Sequence, residues 1–258
     1  MSKVEFIKKT LSLGNRLPGF HSMLRVIYGR HGKGLQTEFA GLRLPHPVGI
    51  RHGYAKNGEL AQVLSEIGFS YIGIDIYDYD AKAAIRLLSS RKENSIVNAC
   101  LSTAVQDKTE SEMMEDVVRS FSLIYDFVDM FTIEVATDMY DIVDEVLSQR
   151  LCYDKHVPIL VRIPASGTAN IHGILDFCML SGIDGIIAPG LSSVRTAIEY
   201  TKGRMPVIGS GDFIYPDEAV QMLRAGAVLL ETGKAFEKYG YRTPGKILDA
   251  IGESVNQQ

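Results

Sequence analysis

Apolar runs and helical stripes alternate along most of this chain. Short runs that are apolar nearly throughout, as buried parallel strands are, fall at 47–50, 70–76 (SYIGIDI), 95–100 (SIVNAC), 128–135 (VDMFTIEV), 157–163 (VPILVRI), 185–188, 205–209 (MPVIG) and 227–231. Between them the apolar positions recur at helical spacing. Leu60, Val63, Leu64 and Ile67 share one face of a predicted helix over 58–67; Met113, Val117, Phe121 and Ile124 do so over 110–125. Further helices are predicted over 81–88, 141–151, 171–180, 194–200, 216–223 and 244–251. Gly68 and Gly182 stand where C-terminal caps belong.

Eight strand–helix units in about 210 residues is the count of a closed α/β fold, the (β/α)8 TIM barrel. A doubly wound open sheet is the alternative, but it rarely keeps so regular a rhythm over eight strands. No Pro-, Gly- or Ser-rich linker divides the chain, so residues 35–258 are read as one barrel domain.

Residues 1–34 form a separate N-terminal arm. Lys3, Lys8, Lys9, Arg16, Arg25, Arg30 and Lys33 face only Glu5 there, among apolar residues such as Phe6, Leu11, Leu24 and Ile27. Such a segment can rest on the anionic inner face of a membrane. It can equally pack on the domain, and the interruptions at Gly14 and Pro18 favour the packed arm.

Composition narrows the classes. Hydrophobic residues are 46% and charged residues 22%, enough for a full core and too apolar for wholesale disorder. The net charge of −4 argues against a nucleic-acid partner. Cys100, Cys152 and Cys178 lie far apart, without CxxC or His/Cys spacing; they read as small buried residues in a reducing compartment, with no metal site expected. No apolar run approaches the ~20 residues that span a bilayer, and no signal-peptide pattern opens the chain. The expected location is cytoplasmic.

In such a barrel the chemistry sits at the C-terminal ends of strands. Those ends carry 51–56 after the first strand, then Asp75, Asn98, Glu134 and Thr137, Arg162, Pro189 and Gly190, Gly209 to Asp212, and Thr232-Gly233-Lys234. Gly53 allows close backbone approach to a ligand, and Lys56 would add a mobile positive charge. The groups after strands seven and eight, Gly209-Ser210-Gly211 and Thr232-Gly233, offer peptide N–H groups and a hydroxyl suited to a phosphate; tight turns are the other use of such glycines. Arg162 is a charge in an otherwise apolar strand. It needs either an anionic or carbonyl ligand or an ion pair, with Glu134 on the neighbouring strand as the candidate partner.

The lines MLRVIYGRHGKGLQTEFAGLRLPHPVGIRHGYAKNGELAQVLSEIGFSYIGI, VPILVRI, SGIDGIIA and RMPVIGSGDFIYPDEAVQMLRAGAVLLETGKAF resemble, in order and over most of the chain, the class 2 (quinone-linked) dihydroorotate dehydrogenases. The chain looks like a shortened and divergent member. The resemblance implies an FMN-dependent oxidoreductase that takes dihydroorotate to orotate, a CH–CH oxidation in pyrimidine biosynthesis. It implies a flavin phosphate held by Gly209, Gly211, Thr232 and Gly233, with Asp212 in the same loop, and a flavin approached by Gly53 and Asn98. Arg162 stands where the family has a lysine against the flavin ring. Lys56 matches the substrate-contacting lysine, and Thr137 lies nearest the place of the general-base serine. The family's two alanines before Gly53 are here Arg51 and His52. Its fourth-strand asparagine is Glu134, and the Gly-Gly-x-Ser-Gly loop after the sixth strand is missing. The alternative reading is a barrel that binds FMN or another phosphorylated ligand without oxidising dihydroorotate.

Overall fold

The computed structural model of the chain describes residues 18–29, 32, 34–56, 58, 60–76, 81–89, 95–101, 109–134, 140–165, 170–211 and 213–256, with the side chains of 56 and 81 excepted. After a first helix, α1 (Phe20–Tyr28), comes a short hairpin of β1 (Thr37–Phe39) and β2 (Leu42–Leu44). Its two-residue turn, Ala40-Gly41, has φ of 48° and 82°, the doubly positive geometry that suits a tight hairpin.

Eight parallel strands then close a barrel: β3 (Val48–Lys56), β4 (Tyr71–Ile76), β5 (Ile96–Leu101), β6 (Met130–Glu134), β7 (Ile159–Arg162), β8 (Gly185–Pro189), β9 (Val207–Gly211) and β10 (Leu229–Thr232). β10 pairs with β3 and completes the ring. The connecting helices are α2 (Ala61–Glu66), α3 (Ala81–Ser89), α4 (Glu110–Ile124), α5 (Tyr140–Arg150), α6 (Ile171–Ser181), α7 (Gly190–Thr201), α8 (Pro216–Arg224), α9 (Lys234–Tyr239) and α10 (Thr243–Val255). The expected (β/α)8 barrel is the fold observed. Local sequence starts the helices: Thr109 and Glu112 cap α4 reciprocally, and Pro216 opens α8.

Two apolar layers hold the molecule together. The larger lies between barrel and helices and includes Val63, Phe121, Val146 and Ile247. The smaller fills the base of the barrel: Tyr71, Met130, Leu160, Ile187, Ile208 and Leu229 meet Phe39 and Leu44 of the hairpin. A Cβ on Gly185 would lie 2.7 Å from Phe39 Cζ, so that glycine makes room for the plug. The hairpin was not expected from sequence, because two three-residue strands are too short to show alternation.

Two further expectations are corrected. The first barrel strand continues past residue 50 to Lys56 through a bulge in which Arg51 to Tyr54 stand opposite the single residue Gly73. A Cβ on Gly73 would lie 2.5 Å from His52 N; the bare glycine lets the bulge fold over β4. Likewise Gly209, Ser210, Gly211 and Thr232 are the last residues of strands, not of loops after them.

The arm begins to be described at Pro18. α1 packs Leu24 against the domain, with Arg25 bound through Nε and Nη2 to the buried Glu66 at 2.5 and 2.6 Å. Among the described residues no helix is long and apolar enough to cross a membrane.

Candidate active site at the barrel mouth

Above the apolar base the inward side chains turn polar. Glu231 on β10 is fully buried. Tyr71 donates its hydroxyl to Glu231 Oε1 at 2.5 Å. Arg162 Nη2 donates to the same oxygen at 3.1 Å, and Nη1 lies 2.9 Å from Oε2. Nη1 also donates to Ser210 Oγ at 3.1 Å. Asn98 Nδ2 donates to Tyr71 Oη at 2.6 Å and to Thr132 Oγ1 at 2.7 Å. Six strands thus contribute to one buried network whose central charge pair is Arg162–Glu231. Burial pushes the Glu231 carboxyl up, but Arg162 and the Tyr71 hydroxyl outweigh it and hold it below the usual range.

One layer higher, at the strand ends, lies a second cluster. His52 Nδ1 is 2.8 Å from Asp75 Oδ1, and the Gly53 N–H donates to Asp75 Oδ2 at 2.7 Å. His52 Nε2 is 3.0 Å from Glu134 Oε1 without the alignment of a hydrogen bond. Arg162 Nε reaches the same Glu134 oxygen at 3.1 Å. Burial pulls the His52 pKa down, but Asp75 and Glu134 outweigh it and lift it to about 9, so His52 is charged at neutral pH. His52 in turn holds Glu134 below its usual range, against the opposing effect of burial. Cys100 lies beside them, its thiol pushed up by burial.

Relatives agree with this architecture. A dihydroorotate dehydrogenase (quinone) of Deinococcus deserti is 23% identical over 96% of this chain and 89% of its own length. One of Legionella pneumophila is 26% identical over 94% and 92%. A ligand-free dihydroorotate dehydrogenase structure from Eimeria tenella superposes with a TM-score of 0.74 at 16% identity, covering 92% of this chain and 94% of that one. The chain is a divergent relative of the dihydroorotate dehydrogenases. No family model matches it.

Set on this dihydroorotate dehydrogenase-like frame, the expected site residues separate into groups. Arg162, Asn98 and Ser210 converge in the buried network. Asn98 is 1% exposed and lies below the mouth. Gly53 sits in the exposed bulge with φ 95°, and no atom stands within 4 Å of a Cβ placed there. Gly209 faces outward: a Cβ there would meet Met222 Sδ at 3.0 Å, so packing against α8 already accounts for this glycine. Gly211 also abuts Met222, with the Gly190 nitrogen 3.6 Å from a Cβ placed there. Thr137 and Asp212 lie outside the described residues, as does the side chain of Lys56.

A flavin phosphate can be tested against the ends of β9 and β10. Thr232 pairs in register with Gly211. It is fully buried, and its Oγ1 has no hydrogen-bond partner. A buried hydroxyl left unpaired is costly unless something completes it. Beside it, a Cβ on Gly233 would lie 2.9 Å from Arg51 Cδ, so Arg51 turns toward this end of the barrel while His52 turns toward β4–β6. An orphaned hydroxyl, glycine peptides and a guanidinium suit a phosphate. This end fits the group.

Glu231 and Tyr71 were missed from sequence. Glu231 is the single charge of its strand, VLLE, just as Arg162 is of VPILVR; two lone charges in apolar strands are a signal that they pair. Arg162 does pair with Glu134 as expected, but its buried partner is Glu231. Cys152 was expected to be buried and is exposed, because it lies in the turn after α5.

Proposed function

We propose that this barrel is a flavin-dependent oxidoreductase of the dihydroorotate dehydrogenase type, with FMN as its cofactor. The unpaired, buried Thr232 hydroxyl at the end of β10 carries the reading. It stands where the resemblance puts the flavin phosphate, next to Gly211, Gly233 and Arg51. When bound, the flavin would accept a hydride from the substrate, and the protein would supply position and charge. Arg162 would present a fixed positive charge toward the mouth, since Glu231 and Ser210 hold its guanidinium from below. Gly53 would let the β3 backbone approach the ligand. Lys56 and Thr137 remain the proposed substrate-contacting and proton-accepting residues.

A second reading is favoured at the substrate end. Glu134 and Asp75 add two carboxylates there, and Arg162 is already paired with Glu134, Glu231 and Ser210. A dihydroorotate carboxylate would meet repulsion where the family has an asparagine. On that reading the barrel binds FMN and oxidises a different substrate. The absorption spectrum of the purified protein tests the flavin, and anaerobic mixing with dihydroorotate tests the substrate. A colourless protein that takes up no added FMN defeats both readings. A flavin that dihydroorotate leaves oxidised leaves the second standing.

The exposed Met23, Val26 and Ile27 on α1 support a proposed peripheral contact with a membrane surface from the cytoplasmic side.

A further inference from the structure

The strand ends on the β3–β6 arc carry a constellation that the flavin reading does not use. His52 comes from the bulge in β3, Cys100 from β5 and Glu134 from the end of β6. One donor atom from each, a ring nitrogen, the thiol sulfur and a carboxylate oxygen, lies within 4.8 Å of the other two. We propose that His52, Cys100 and Glu134 bind a divalent cation of the zinc class, with one coordination position open to the barrel mouth.

The donor set is the first argument. One nitrogen, one sulfur and one oxygen suit a borderline-soft ion such as Zn²⁺, and poorly suit Mg²⁺ or Ca²⁺, which take oxygen. Three protein ligands with a fourth position open is the arrangement of a zinc ion that meets a ligand or water.

The groups behind the donors are the second. Asp75 holds His52 Nδ1 at 2.8 Å and is itself fixed by the Gly53 N–H at 2.7 Å. A carboxylate on Nδ1 orients the ring and turns Nε2 toward the ion. Nε2 is buried and faces Glu134 Oε1 at 3.0 Å, without the alignment of a hydrogen bond. Glu134 is steadied in turn by Arg162 Nε at 3.1 Å; a carboxylate has lone pairs for a guanidinium and an ion together.

Position is the third: Arg162 keeps its buried partner Glu231 whatever Glu134 holds. Thr232 and Gly211 lie on the β9–β10 arc, so the proposed ion and the proposed phosphate draw on different strands, and neither proposal depends on the other.

The test uses the full-length protein, stripped with a chelator and titrated with Co²⁺. Difference spectra against the metal-free protein cancel any bound chromophore. The expected result is saturation at about one ion per chain, with thiolate-to-cobalt charge-transfer absorption. That absorption disappears in Cys100→Ser and persists in Cys152→Ser, the exposed cysteine. Asp75→Asn, which touches the ion only through His52, weakens Zn²⁺ binding by about 10- to 100-fold. Absence of stoichiometric uptake overturns the proposal, as does a charge-transfer band that survives Cys100→Ser. Should Cys100→Ser fail to fold, Glu134→Gln decides: weakened Zn²⁺ binding supports the site, and unchanged affinity in the folded variant overturns it.

Discussion

Arg162 on β7 and Glu231 on β10 meet inside the barrel across 69 residues of sequence, with Nη2 donating to Oε1 at 3.1 Å and Nη1 2.9 Å from Oε2. Neither charge is tolerable there alone. Glu231→Gln keeps an acceptor for Tyr71 but leaves Arg162 with Glu134 as its one carboxylate. The expected loss is about 3–5 kcal/mol in urea unfolding, the cost of breaking a buried pair. Arg162→Met in the same chain should restore a good part, because it removes a buried charge that has lost its buried partner. A loss under about 1 kcal/mol, the range of exposed pairs, would show that water reaches the pair.

The same carboxylate sets a pH dependence. Arg162 and Tyr71 hold Glu231 below the ordinary carboxyl range in the folded protein, against the opposing effect of burial. A depressed folded pKa contributes stability above the unfolded value, about 4.3, and loses it as pH falls through the folded value. The stability gap between the native protein and Glu231→Gln should therefore shrink as pH is lowered below ~4.5. Melting curves at stepped pH check this; a gap that stays constant down to unfolding contradicts it.

Two glycines give opposite expectations. A Cβ on Gly49 would lie 2.1 Å from Tyr71 Cδ1 inside the barrel, where the ring is pinned by Glu231 and Asn98. Gly49→Ala should cost about 1–3 kcal/mol or prevent folding, as overpacking does. Gly252 lies within α10 with nothing within 4 Å of a Cβ placed there. Gly252→Ala should stabilise by roughly 0.5–1 kcal/mol. Thermal melts of the two variants side by side measure both.

Thr232→Val separates a ligand-directed hydroxyl from a structural one. The side chain keeps its volume and loses an oxygen that has no partner, so the ligand-free protein should be as stable or slightly more so. FMN affinity should nevertheless fall about tenfold or more, the worth of a hydrogen bond to a charged group. Gly211→Asp should abolish FMN binding, because its carboxylate would have to enter between Met222 and Gly190 at the end of β9. Fluorescence titration with FMN reads both, and unchanged affinity in Thr232→Val removes the phosphate assignment.

Much of the fold was legible because strands and helices encode it locally. Apolar runs of strand length and stripes such as Met113, Val117, Phe121 and Ile124 fix which face of each element is buried, and their strict alternation implies a closed parallel sheet. The need for a partner at Arg162 was equally local, since a charge in an apolar strand cannot stay alone.

What those charges meet was decided by closure. The ring brings inward residues of Tyr71, Asn98, Arg162, Ser210 and Glu231 to neighbouring heights, and height depends on strand register, which no local pattern carries. The bulge at Arg51 to Tyr54 alone sends Arg51 to β10 and His52 to Asp75. The packing of Met222 against Gly209 is likewise a contact that no local pattern carries. The meeting of His52, Cys100 and Glu134 has no spacing to betray it, because each donor belongs to a different strand. Sequence sets which side chains must be inside; only the closed barrel sets which of them touch.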